Sequence, residues 1–131
     1  MHVEKIAGLS YDREGIKFIA NYVKPTGIVT TKNSLIKLAK KFNLLTIQRL
    51  FLIDTDAFKN GITSVIENQP DAVEIMPARI PQLVKELSSK IDVPVITGGL
   101  LENREQMLEA LNAGARAVST GNPQLWKEVL Y

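Results

Sequence analysis

Gly98 and Gly99, followed by Ser119 and Thr120, are the residues whose types and spacing best suit the binding of a small anion. Each pair closes a short apolar run, Val93-Pro-Val-Ile-Thr-Gly-Gly-Leu100 and Arg116-Ala-Val-Ser-Thr-Gly-Asn-Pro123. Each run reads as a strand that ends in a turn able to open a helix. Glycine lets the main chain come close to a ligand, and backbone N–H groups and hydroxyls donate to phosphate oxygens. Helix N-termini add positive potential. In (β/α)8 barrels the loops after strands seven and eight hold a phosphate in this way. The alternative is two ordinary strand-to-helix turns with glycine present for steric reasons alone. Gly121 and Asn122 extend the second turn, and Asn122 equally suits the N-cap of a helix over Pro123–Val129.

Polar side chains inside apolar strands form a second set. Gln48 and Arg49 lie in a run that should be largely buried, where an unpaired charge is costly. Arg49, or Gln48 by pleat alternation, is a candidate contact for ligand hydroxyls or phosphate. The competing reading pairs Arg49 with Asp54 or Glu74 as a structural ion pair. Glu74 interrupts its strand in the same way and is a candidate ligand contact, with catalysis the weaker reading. His2 and Glu4 alternate onto one strand face and are candidate pocket residues, although chain ends fray. Lys37, Lys40 and Lys41, flanked by Lys24 and Lys32, can meet RNA phosphates, but a solvated helix face is the preferred reading. Trp126, with Leu125 and Leu130, reads as the apolar side of a last helix packed on the sheet.

Composition limits the alternatives. At 131 residues, 45% hydrophobic and 23% charged, the chain fits one domain, residues 1–131, with a real core. It has no cysteine and one histidine, so thiolate metal sites, disulfides and multi-histidine metal sites are excluded. No apolar run approaches the ~20 residues of a membrane helix. A net charge of +2 is too small to argue for nucleic acid by itself.

Two hydrophobic periods alternate along the chain. Strand-like runs occur at Gly27–Thr30, Leu45–Phe51, Ala72–Met76, Val93–Thr97 and Ala115–Ser119. Amphipathic helices are predicted between them, with Asn33 capping one and Gly114 closing another over Glu102–Ala113. A further helix runs from a Ser10 cap to about Tyr22, and another covers Asp56–Asn68. Met1–Ile6 reads as the end of a sixth strand. This alternation predicts an α/β fold with a parallel sheet. Numbering the two glycine and hydroxyl turns as seven and eight makes the Gly27 strand the fourth and Met1–Ile6 the third. The expected fold is therefore a partial (β/α)8 TIM-barrel-like domain lacking the first two strand–helix units. A flavodoxin-like open sheet suits the length better but does not give paired phosphate turns at the last two strands.

Seven motifs coincide in order: His2-Val-Glu4, Val23-Lys-Pro-Thr-Gly-Ile-Val-Thr-Thr31, Ile47-Gln-Arg-Leu-Phe-Leu-Ile-Asp54, Val73-Glu-Ile-Met-Pro77, Pro94-Val-Ile-Thr-Gly-Gly99, Ala117-Val-Ser-Thr-Gly-Asn122 and Leu125-Trp-Lys127. Over its whole length the chain resembles the glycerol-3-phosphate-responsive antiterminators, the glycerol-uptake operon antiterminator regulatory proteins. The resemblance implies a cytoplasmic, barrel-like, non-enzymatic regulator without cofactor or metal. Such a regulator senses glycerol 3-phosphate and acts on leader mRNA. Three departures stand out. The first two strand–helix units are missing, His2-Val3-Glu4-Lys5 replaces His-Val-Asp-Leu, and Met76-Pro77-Ala78 replaces Leu-Pro-Gly. Two other readings are an isomerase, aldolase or synthase acting on a small phosphorylated substrate, and a non-functional truncated paralogue. An open arc of strands exposes two edges and its inner face, which predicts aggregation or assembly into a homo-oligomer.

Overall fold

The computed structural model describes residues 1–130. Five strands alternate with helices: β1 Gly27–Thr30, α2 Asn33–Lys41, β2 Leu45–Phe51, α3 Thr55–Asn68, β3 Ala72–Met76, α4 Pro81–Lys90, β4 Val95–Gly98, α5 Arg104–Asn112 and β5 Ala117–Ser119. A helix α1, Arg13–Phe18, precedes them and continues as a π-helical turn over Ile19–Val23. All four strand pairings are parallel and the spatial order is β1-β2-β3-β4-β5. A doubly wound sheet reverses its strand order at a switch point. This sheet never reverses, so each unit is added on the same side, as in a barrel wall. The fold is an α/β partial barrel of the (β/α)8 type.

Parallel register decides which side chains share a face. Ile47 stands beside Val29 and Ala72, and Arg49 beside Glu74, which stands beside Ile96. These residues line the inner face, with Phe51, Met76, Gly98 and Ser119 at its C-terminal end. The opposite face carries the main core. Val73, Ile75 and Val95 pack with Leu52, Phe58, Val65, Val84, Leu87 and Ile91 beneath α3 and α4. Ile28 packs with Val3, Ile16, Ile19, Leu35, Ala39 and Leu44 beneath α1 and α2. Their burial against the helices supplies the main driving force for the layered fold. No helix among the described residues is long and apolar enough to cross a membrane.

The helix starts follow side-chain acceptors. Asp12, Asp54 and Asn103 accept from Gly15, Ala57 and Gln106 main-chain N–H groups at 2.9, 2.7 and 3.0 Å. Several expectations are corrected. Asp12, not Ser10, caps α1, because its side chain is the one that accepts from the Gly15 N–H, and the Ser10 carbonyl packs so close to Gly15 that no Cβ would fit there. Asn33 is the first residue of α2 rather than its cap, and its side chain is committed to α3 through Ser64. Met1–Ile6 is not a regular strand. It makes one parallel bridge, His2 with Val29, and then winds into a 3-10 turn over Val3–Lys5. The predicted terminal helix shrinks to a 3-10 turn over Leu125–Lys127, and Trp126 is 68% exposed rather than packed on the sheet. Its indole N–H instead donates to the Thr120 carbonyl at 2.8 Å.

Leu87 has no exposed surface and sits in the larger core. Leu87→Ala should lower unfolding free energy by about 2–5 kcal/mol, read as a drop in urea midpoint at unchanged slope.

Candidate functional site

Arg49 and Glu74 meet on the inner face because β2 and β3 place them directly opposite one another. The Arg49 guanidinium uses both Nε and Nη2 on one Glu74 oxygen, Oε2, at 2.7 Å each. The other oxygen, Oε1, accepts from the Ser119 hydroxyl at 2.6 Å. Glu74 is buried, with only 6% of its side chain exposed, so a bare carboxylate there would be expensive. Two charge-assisted hydrogen bonds, from Arg49 Nε and the Ser119 hydroxyl, together with the Nη2 ion-pair contact satisfy it.

Ser119 belongs to β5 and Glu74 to β3, so the bond between them passes over β4. Gly98 on β4 makes the passage possible. A Cβ at Gly98 would strike Ser119 Oγ and lie 3.2 Å from Glu74 Oε1. The next glycine is needed for a different reason. Gly99 holds φ +82°, a left-handed conformation that favours glycine, and leaves the strand toward Leu100. Gly121 has neither constraint, since a Cβ there meets nothing.

A pocket of about 340 Å³ opens over this group, lined by Arg49, Glu74, Met76, Gly99, Ser119, Thr120 and Gly121. The Thr120 hydroxyl accepts from the Asn122 N–H at 3.1 Å, and among the described residues none accepts its own hydrogen. Five sequence-predicted residues thus share one cavity, and Gly98 lies immediately beneath it. Of the two partners weighed for Arg49, Glu74 is the one the register supplies; Asp54 caps α3 instead.

Gln48 is elsewhere. It points to the helix layer and bonds Ser64 at 2.5 Å, Asn33 at 3.3 Å and Asn68 at 3.3 Å. Pleat alternation puts Arg49 inside and Gln48 outside, which removes Gln48 from the pocket. Two parts of the expected phosphate site also differ. The Ser119 hydroxyl is already spent on Glu74. The turn after Ser119 leads into only a three-residue 3-10 segment, too short to supply a helix dipole, so the positive charge at the site comes from Arg49.

His2 and Glu4 form a neighbouring group at the end of β1. Glu4 Oε1 accepts from Thr30 Oγ1, Thr31 N and Thr31 Oγ1 at 2.8, 2.7 and 2.8 Å. Burial alone pushes the Glu4 carboxyl up, but these donors outweigh it and hold it below the usual range. His2 Nδ1 faces Glu4 Oε2 at 3.6 Å, and neither atom has another partner among the described residues. Burial, then the Arg49 charge, lowers the imidazole pKa. Sequence reasoning found these two residues but missed Thr30 and Thr31, whose hydroxyls only a folded turn brings to one carboxylate.

The comparisons with known proteins meet this geometry on the same segments. The family model described as glycerol-3-phosphate responsive antiterminator matches residues 1–126. The chain belongs to that family. Its structure is similar to the crystal structure of a glycerol uptake operon antiterminator regulatory protein from Listeria monocytogenes, with 38% identity and a TM-score of 0.94. That match covers 98% of this chain and 69% of the other. A glycerol uptake operon antiterminator-related protein from Thermotoga maritima is 29% identical with a TM-score of 0.79, over 94% of this chain and 69% of its own. The uncharacterized protein YgcP of Escherichia coli (strain K12) is 35% identical over 126 residues, or 96% of this chain. The chain spans 66% of that curated relative's length.

Two outcomes follow from the site. Gly98→Ala should break the Ser119–Glu74 bond and cost roughly 1–3 kcal/mol through overpacking, seen in the denaturation midpoint. Glu4 should make stability depend on acid. Its folded pKa lies below its unfolded value of 4.5, so its contribution is complete above that pH and is lost as pH falls through the folded value. His2, lowered from 6.5, also lets stability decline on acidification, but starting from that higher pH. Glu4→Gln should lower the urea midpoint at neutral pH and flatten its decline below pH 4.5.

Proposed function

We propose that this chain is a glycerol-3-phosphate-responsive transcription antiterminator. In this reading it binds the phosphate ester in the Arg49–Glu74–Ser119 pocket and acts on leader RNA without catalysis. The single observation that carries the reading is the convergence of Arg49, Gly99, Ser119, Thr120 and Gly121 on one small cavity in a member of this family. A guanidinium, a free hydroxyl donor and glycine-lined main chain are groups that suit a phosphate monoester. The cavity is of a size for a small molecule.

The alternative, an enzyme acting on a small phosphorylated substrate, has less behind it. A general base needs an available lone pair near the reacting proton. Glu74, the one carboxylate of the pocket, is engaged on one oxygen by the Arg49 guanidinium and on the other by the Ser119 hydroxyl. Lys5 is exposed in the 3-10 turn and does not line the pocket, so it is not placed to act there as a nucleophile. RNA is the partner that family membership supports. Lys37 and Lys41 on α2 are exposed and available to it, whereas Lys40 is tied to the Gln69 carbonyl at 2.7 Å.

A thermal melt followed by circular dichroism tests the ligand. Millimolar glycerol 3-phosphate should raise the transition temperature, because ligand that binds only the native state must stabilise it. Glycerol at the same concentration should not. Thr120→Val, which keeps the shape and removes the donor, should weaken binding about tenfold. A transition unmoved by the phosphate ester would remove the sensor reading.

A further inference from the structure

The Glu74–Ser119 bond has a direction, and the direction matters to whatever enters the pocket. A carboxylate carries only lone pairs, so in this bond the hydrogen belongs to Ser119. Ser119 Oγ therefore offers the pocket acceptor sites and no donor. The Arg49 Nε and Nη2 groups are likewise turned onto Glu74. Thr120 is the opposite case. Its oxygen accepts from Asn122 N, which leaves its hydrogen to donate.

We propose that Glu74 determines specificity in this pocket. By taking the Ser119 hydrogen it makes Ser119 an acceptor, so the site selects phosphate monoesters that carry a free hydroxyl over those that do not. The pocket is thereby two-ended, with donors at Thr120 and the Gly99 and Gly121 main chain for the anion, and the Ser119 lone pairs, freed by Glu74, as acceptors for a ligand hydroxyl. An anion without a hydroxyl leaves the Ser119 lone pairs unpaired and stands near the Glu74 charge. Sites built to bond a hydroxyl discriminate strongly against analogues that lack it. The proposal rests on reading the pocket as a phosphate-ester site and adds the residue that chooses among such esters.

Calorimetric titration of wild type, Glu74→Gln and Ser119→Ala with glycerol 3-phosphate, propyl phosphate and inorganic phosphate tests it. Wild type should prefer glycerol 3-phosphate over propyl phosphate by about tenfold or more. Ser119→Ala should bring that ratio to within about threefold, mainly by weakening the hydroxylated ligand. Glu74→Gln should lower the ratio from the other side, by strengthening propyl phosphate and inorganic phosphate. Its amide can donate to Ser119 and release the serine hydrogen into the pocket. Because Glu74→Gln also breaks an ion pair, a melt must first show that it folds; if it does not, Ser119→Ala decides. Equal wild-type affinity for the two esters would overturn the proposal and leave the phosphate site standing. A ratio unchanged in the folded variants would do the same. Failure of wild type to bind either ester would remove the underlying reading as well.

Discussion

Arg49 places a full charge on the inner side of a parallel sheet, and much of the surrounding geometry answers that charge. Unpaired, a charge so largely removed from water would be costly. Register supplies Glu74 on the adjacent strand, close enough for a hydrogen bond from Nε and an ion-pair contact from Nη2 of one guanidinium. Glu74 then has a second oxygen to satisfy, and the nearest donor is two strands away on β5. The intervening strand must present no side chain there, which is why Gly98 is glycine. One ion pair thus ties together residues from β2, β3, β4 and β5. Removing either charge from such a pair leaves the other uncompensated, at about 3–5 kcal/mol in buried cases.

The two faces of the sheet solve the burial of polar groups differently. On the helix side, Gln48, Asn33, Ser64 and Asn68 bond one another and leave no charge to neutralise. That cluster joins β2 to α2 and α3, with Gln48 and Asn68 buried and Asn33 at the surface. On the inner side, polarity is concentrated in the charged group at the C-terminal end. Leu45 and Phe51, at the two ends of β2 on this face, are 51% and 53% exposed. The β1 edge is partly blunted by Met1, whose carbonyl accepts from Val29 at 2.8 Å and whose amino group donates to Gly27 at 3.0 Å. Paired main chain at an edge restrains pairing with other chains.

Much of the site was legible because it follows from alternation and from charge. An arginine and a glutamate in neighbouring apolar strands had to be paired or used, and glycine and hydroxyl turns at two strand ends had to lie side by side. Asp54 remained a rival partner for Arg49 until helix α3 claimed it as a cap. Gln48 was misplaced because two adjacent polar residues in one strand always face opposite ways, and sequence does not say which faces in. The three donors on Glu4 come from residues more than 25 positions away, so no local pattern announces them.

The strand–helix alternation, the parallel sheet and family membership were set by the sequence itself, since hydrophobic period and motif order are properties of the chain read in one dimension. The consecutive strand order, the choice of Glu74 over Asp54, the outward turn of Gln48 and the donation of the Ser119 hydroxyl were decided by tertiary structure. Each depends on which side chains the register brings within hydrogen-bond distance across different strands. That selection exists only once the sheet has closed the gaps between segments dozens of residues apart.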